Sequence, residues 1–410
     1  ERNGARTPTM LVDELASPSK RGSLPMSDRS TYSTLHVNTS RDWRGGERQT
    51  LLLAEALHSA GHPSGVICPP NSPLEERCRQ QGLPVFPVPM KSEVDLAACR
   101  KLIQVIRQES PQIIQAHTAH AHTLCGLARL GIRWGGPQHL RPAVIAQRRV
   151  PFSIHRSGTP FFTPWKYRRL ADHLIAVSQQ VGRILEGDGV PADQIRVIPD
   201  GVPALPTPET APTLWRQQHG IPDKGLLIGS VGHLSQEKGH VHLIEALSHL
   251  RIREQAVQLV IVGEGTERAH LTRRAQELGI SDRVHLIGFQ NDVSSALHAL
   301  DVYAHPSLEE GLGTSILDAL QALRPVVASR VGGIPEVIEQ MVTGHLVPPG
   351  DPEAIAVSID ELLDDPEKAA GYAQAGQKRC LQSYSVEAMR EANLHLYSHI
   401  CGRNSDESER

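Results

Sequence analysis

The stretch His305-Pro-Ser-Leu-Glu-Glu310-Gly-Leu-Gly-Thr-Ser-Ile-Leu-Asp318-Ala-Leu320 reads as a strand end, a glycine turn and a helix start. In the turn Gly311-Leu312-Gly313 the two glycines let backbone approach a ligand closely. Free amides at the start of the following helix, together with its dipole, favour a phosphate. Glu310 stands just before this cradle, and Asp318 follows on the helix. Two carboxylates beside a phosphate site can accept hydrogen bonds from hydroxyls, which suggests a nucleotide sugar. Two acids on a solvated helix face are the plainer alternative.

A second stretch, Gly229-Ser-Val-Gly232-His233-Leu-Ser-Gln-Glu-Lys238-Gly239-His240, again runs from strand through loop to helix. Lys238 is placed to reach a phosphate as a mobile cation and to stabilise a departing diphosphate, at about 1.5–3 kcal/mol per charge-assisted bond. Outward from these two loops, short apolar runs alternate with amphipathic stretches. They begin at 35–38, 47–60, 65–68 and 74–81, continue through 111–115, 144–146 and 173–177, and pause at 196–198. The alternation resumes from 226–231 to 345–347, and 352–400 reads as helices only. This rhythm predicts parallel sheets with crossover helices. Prolines at 199, 203, 206, 208 and 212 mark a linker between two such units. The expected fold is α/β, two facing doubly wound Rossmann-like domains at 31–200 and 201–385. A terminal helix at 386–402 rejoins the first domain, and the active site lies in the cleft at the carboxyl ends of both sheets.

Composition narrows the function classes. A formal charge of -3 over 410 residues argues against a polycation coating nucleic acid. Six scattered cysteines without a CxxC fit thiols in a reducing cytosol. No apolar run approaches the roughly 18–20 residues of a spanning helix. Residues 1–30, rich in Ser, Pro, Thr, Arg and Gly, read as a disordered leader with Met26 as an alternative start.

Taken together and in order, Gly45-Gly46-Glu47-Arg48, Val197-Ile-Pro-Asp-Gly201, Lys238-Gly239 and Glu310-x7-Asp318 resemble the retaining family 4 glycosyltransferases of GT-B fold, over about residues 34 to 400. The resemblance implies that Glu310 contacts the donor sugar, Asp318 the nucleotide ribose, and Lys238 the donor diphosphate. It also implies that Gly45 and Gly46 meet the donor from the opposite wall of the cleft and that His117 lies beside the donor sugar. Two departures stand out. The family usually carries a second Glu where this chain has Asp318, one methylene shorter. It usually carries Arg where this chain has His233, which is charged only near or below pH 6.5. Leaving-group stabilisation then rests mainly on Lys238, and turnover is expected to vary more steeply with pH than in relatives with Arg.

His117, His120 and His122 follow the strand at 111–115, but no cysteine or carboxylate beside them completes a zinc set. The chain has no Asp-x-Asp, so no metal is expected and no cofactor beyond the nucleotide-diphosphate sugar as co-substrate. From Arg129 to Arg183 there are ten basic residues against one acid, Asp172, interleaved with six of the chain's fifteen aromatics. Within it, Arg148, Arg149, Lys166, Arg168 and Arg169 are candidates for contact with an acceptor or with anionic lipid, and a solvated loop is the plainer alternative. The expected partners are a nucleotide-sugar donor, a glycan or glycolipid acceptor and a peripheral anionic membrane, not nucleic acid. The expected activity is sugar transfer in lipopolysaccharide, capsule or exopolysaccharide assembly, in the cytoplasm at the inner face of the membrane. A sugar-nucleotide epimerase, a phosphorylase, or a non-catalytic sugar-nucleotide-binding scaffold remain alternatives on the same architecture.

Overall fold

The computed structural model describes residues 31–135, 141–156, 162–250 and 257–408. The expected leader at 1–30 lies outside these residues. So does Phe161 of the basic and aromatic stretch, along with the side chains of Arg133, Trp134 and Phe162.

The first half contains seven strands: β1 (Thr34–Val37), β2 (Ser64–Cys68), β3 (Val85–Pro87), β4 (Ile113–Ala116), β5 (Ala143–Arg148), β6 (His173–Ala176) and β7 (Ile195–Val197). They form one sheet in the order β3-β2-β1-β4-β5-β6-β7. The second half contains β8 (Leu226–Val231), β9 (Val257–Val262), β10 (Val284–Gly288), β11 (Val302–His305), β12 (Val326–Ser329) and β13 (His345–Val347), in the order β10-β9-β8-β11-β12-β13. Every pairing is parallel. Parallel sheets are covered by helices on both faces, so their strands read as continuous apolar runs, and β9, Val-Gln-Leu-Val-Ile-Val, is buried at all six positions. The two Rossmann-like units of the expected fold are therefore both present.

Sequence periodicity missed β3. It is a three-residue edge strand that follows Pro84 and ends on Pro87, at most partly buried, and an edge is where proline can sit without breaking a ladder.

The helix Val386–Ser408 packs on the first half. Met389, Leu396, Tyr397 and Ile400 pack in one apolar cluster with Leu53, Leu57, Ile113 and Ile145. The chain therefore passes between the halves twice, and the two passages are joined: the Val202 amide donates to the Tyr384 carbonyl (2.8 Å) and the Val386 amide to the Val202 carbonyl (3.2 Å). At this crossing a Cβ built on Gly201 would stand 2.4 Å from the Ser385 carbonyl oxygen, which is backbone and cannot swing away. Gly201→Ala is expected to cost about 1–3 kcal/mol as overpacking, read as a lower thermal unfolding midpoint. Gly187→Ala, where nothing lies within 4 Å of the added Cβ, is the neutral control. Equal midpoints for the two variants would contradict the tight crossing.

Candidate active site

In each sheet the strand order reverses at one place, between β1 and β4 and between β8 and β11. Ligands of open α/β sheets bind where neighbouring strands send their following loops to opposite sides, beyond the carboxyl ends. The loops after these four strands carry Gly45-Gly46, His117, Lys238 and Glu310-Gly311-Leu312-Gly313 respectively. Topology thus brings the sequence-predicted residues to the two switch points.

On the second half, Lys238 Nζ lies 2.5 Å from Glu310 Oε2. The same oxygen receives His305 Nε2 at 3.0 Å and the Ser307 hydroxyl at 3.3 Å. Burial alone would raise the Glu310 carboxyl, but the Lys238 charge and the His305 bond outweigh it and hold the carboxyl well below its ordinary range. Burial also lowers the His305 imidazole despite the carboxylate beside it, so its neutral Nε2–H can donate to Glu310, and its Nδ1 faces the Tyr303 hydroxyl at 3.3 Å. His305 and Ser307 were not singled out from sequence, although both lie in the quoted stretch. The helix Thr314–Gln321 begins after Gly313, whose φ of 90° suits glycine, and among the described residues no side chain caps its first turn. A Cβ built on Gly45 would lie 3.7 Å from Thr314 Oγ1, so the glycine loop opening the helix Gly45–Ser59 faces this helix start across the cleft.

Asp318 is placed differently from a free ribose acceptor. Both its oxygens are taken by the guanidinium of Arg48, at 2.6 and 3.0 Å, from the opposite half. His233 is half-buried; burial and then Arg44 lower its imidazole, which moves its charging to more acid conditions than the sequence alone suggested.

On the first half, His117 is buried within a chain of polar groups. Arg149 donates to His117 Nδ1 (3.3 Å), and because a guanidinium only donates, Nδ1 must be the acceptor. His117 Nε2–H therefore donates to His36 Nδ1 (3.0 Å), and His36 Nε2–H to Thr34 Oγ1 (3.3 Å). Arg149 Nε also bonds both oxygens of Asp200, at 3.1 and 3.0 Å. The chain continues from Asp200 through Gln147 and Gln115 to the Tyr397 hydroxyl on the terminal helix. Both ring nitrogens of His117 are thus engaged, so a direct bond to a sugar requires it to release one.

The basic candidates divide. Arg149 faces His117 and Asp200, Arg148 bonds the Tyr167 hydroxyl (3.1 Å) and the Phe152 carbonyl (2.6 Å), and Lys166 bonds Glu93 (3.2 Å) and the Ala119 carbonyl (2.7 Å). Only Arg168 and Arg169 are exposed, beside Trp165 at 45 % exposure. Among the described residues no group of three or more metal-ligating side chains is gathered.

Burial, reinforced by neighbouring cations, pushes His36, His122 and His240 down to about 3. Their unfolded value is about 6.5, so on acidification the unfolded chain takes up protons first and folding stability falls as pH drops below that value. The thermal midpoint is expected to decline steadily from pH 6.5 to 5. Among the described residues neither ring nitrogen of His122 has a hydrogen-bond partner, so His122→Leu should flatten the decline. A midpoint independent of pH across this interval, in wild type, would contradict the buried neutral imidazoles.

Residues 43–204 match the family model "Glycosyltransferase Family 4", and residues 213–379 match "Glycosyl transferases group 1". The 2-deoxystreptamine glucosyltransferase of Streptomyces kanamyceticus is 28 % identical over 246 residues, 58 % of this chain and 63 % of that protein. The lipopolysaccharide core biosynthesis glycosyltransferase LpsE of Rhizobium meliloti is 32 % identical over 181 residues, 44 % of this chain and 52 % of that protein. The chain thus matches from about half to just under two thirds of the length of these curated relatives. HepE of Anabaena, solved with UDP-glucose, superposes with a TM-score of 0.78 at 23 % identity, over 90 % of this chain and 100 % of that one, a likeness of fold. Because the two family models take up the two halves in succession, separated by a short stretch between 204 and 213, the chain belongs to the group 1, family 4-type glycosyl transferases of GT-B fold.

Proposed function

We propose that the protein is a retaining, metal-independent glycosyltransferase that moves a sugar from a nucleotide-diphosphate donor to a cell-envelope glycan or glycolipid acceptor. The observation that carries this reading is the 2.5 Å approach of Lys238 to Glu310 beside the uncapped helix start at Gly313. A diphosphate at that helix start is within reach of the lysine, and the attached sugar is within reach of the acid. Lys238, exchanged from Glu310 onto the diphosphate, and the helix amides then stabilise the phosphate oxygen as the glycosidic bond to it breaks. Retention of configuration follows from the family. LpsE acts, by its name, in lipopolysaccharide core biosynthesis, which supports an envelope acceptor for this chain. HepE's complex with UDP-glucose supports a nucleotide-sugar donor.

Among the described residues no helix is long and apolar enough to cross a membrane. The exposed Trp165, Arg168 and Arg169 support peripheral contact with anionic lipid at the inner face of the cytoplasmic membrane.

The donor reading is tested by a thermal-shift panel of UDP-, GDP-, ADP- and CMP-sugars, since a ligand of the folded state raises stability by mass action. One nucleotide class should shift the wild type, and Lys238→Ala should weaken that binding by about 1.5–3 kcal/mol. Absence of any shift, or a shift indifferent to Lys238→Ala, would overturn it. For the membrane, co-sedimentation with phosphatidylglycerol vesicles should drop in the Arg168→Ala/Arg169→Ala double variant; unchanged sedimentation would rule out these residues as the contact.

A further inference from the structure

On the first half, cations and aromatic rings alternate in a row that ends at the second half. Lys166 Nζ lies 5.6 Å from the Tyr167 ring centre; the Arg148 guanidinium lies 5.9 Å from the same ring and 5.0 Å from that of Phe152. Arg156 lies 5.0 Å from the Phe152 ring as well, so this ring is shared by two guanidiniums. The far end of the row crosses to the second half, where Arg156 Nη1 pairs with both oxygens of Glu309, at 2.7 and 2.9 Å. Glu309 immediately precedes Glu310.

One cation of this row has no ion pair among the described residues. Lys166 is answered by Glu93 and Arg156 by Glu309, and both acids are substantially exposed, with side chains at 51 % and 41 %. Arg148, in the middle, is 8 % exposed and has no carboxylate at ion-pair distance among the described residues. Asp188, which with Glu93 acts on the adjoining Tyr167, accepts from the Ser153 hydroxyl (2.7 Å) and the Ile154 amide (2.8 Å). A guanidinium carries five N–H donors, and the two acceptors it has here, a phenol and a carbonyl, are neutral. Keeping such a cation out of water without an anion is costly, and a fold tolerates it where an anion arrives from outside. The row also sits next to the chemistry: the carbonyl of Arg149, the following residue, is where a Cβ on Gly311 would collide at 1.9 Å.

We propose that Arg148, flanked by Arg156, receives an oxyanion carried by the acceptor, a phosphate monoester or a carboxylate. The acceptor of this enzyme is therefore anionic. The planar fork of a guanidinium matches either oxyanion in two parallel bonds, and the rings beside it keep it oriented and dry. This inference rests on the glycosyltransferase reading and supplies its acceptor class.

The test uses the full chain with UDP saturating, which occupies the diphosphate site and leaves the row as the remaining anion site. Glucose, glucose 6-phosphate, glucuronate and inorganic phosphate are titrated by calorimetry into wild type, Arg148→Gln and Arg156→Gln. At least one of the charged sugars is expected to bind about tenfold or more tightly than glucose, and Arg148→Gln to remove that advantage, the size of one lost charge-assisted bond. Arg156→Gln, at an exposed position, should lower it several-fold and serves if Arg148→Gln does not fold, which its UDP affinity reports. Equal affinity for neutral and charged sugars, or an advantage that survives Arg148→Gln, overturns the proposal. Should UDP fail to bind wild type, the donor reading fails, and the row is then judged by whether inorganic phosphate binding depends on Arg148. Phosphatidylglycerol vesicles, sedimented with wild type and Arg148→Gln, separate the sources: Arg148-dependent capture assigns the oxyanion to a lipid-borne acceptor, and Arg148-dependent glucose 6-phosphate binding to a soluble one.

Discussion

At three glycines around the cleft the chain is packed with no room for a methyl group. A Cβ on Gly311 would meet the Arg149 carbonyl at 1.9 Å, one on Gly332 the Glu310 carbonyl at 1.6 Å, and one on Gly333 the Ser178 Cβ at 2.7 Å. Arg149 and Ser178 belong to the first half, Gly311 and Gly333 to the second, so two of these contacts cross between them. The carboxylate of Glu336 adds a polar seal, accepting from the Gln179 and Gln180 amides at 2.8 and 3.0 Å, where a helix start favours negative charge. The peptide of Glu310 is gripped in this stack, and its carboxylate is held in turn by Lys238, His305 and Ser307. Everything argued for the site follows from that close approach.

The charges of the cleft are arranged in pairs. Glu310 is held by Lys238 and His305, Asp318 by Arg48, and Asp200 by Arg149. Under the proposed function a donor enters by exchange: its diphosphate takes Lys238, and its ribose competes with Arg48 for Asp318. Buried ion pairs contribute little net stability, so their exchange with a charged ligand is less costly than stripping water from isolated charges. The Asp318 departure gains a physical reading here, since the shorter side chain meets a guanidinium reaching across the cleft.

Much of the fold was legible because parallel strands buried on both faces leave continuous apolar runs, and the strands at 226–231, 302–305 and 345–347 fall where those runs lie. The turn at Gly311 to Gly313 before a helix start and the Lys238 loop were legible for a related reason: a glycine turn that ends a strand and opens a helix is written in neighbouring residues. Arg48 with Asp318, or Arg149 with Asp200 and His117, could not be read in this way. Their partners are far apart in sequence, and nothing in a run of residues says which distant side chain will complete a bond. The inward turn of Arg148 and Lys166 was hidden too, because a cation beside aromatics looks the same in sequence whether the rings cover it or expose it. β3 escaped because three residues ending on a proline carry no periodicity.

The most direct test of the central claim is a crystal structure with an intact nucleotide-diphosphate sugar. The account predicts the diphosphate at the start of the helix Thr314–Gln321, with Lys238 Nζ bonded to a phosphate oxygen and Glu310 facing the sugar. A diphosphate bound elsewhere, with Lys238 and Glu310 still paired to each other and Asp318 to Arg48, would contradict it.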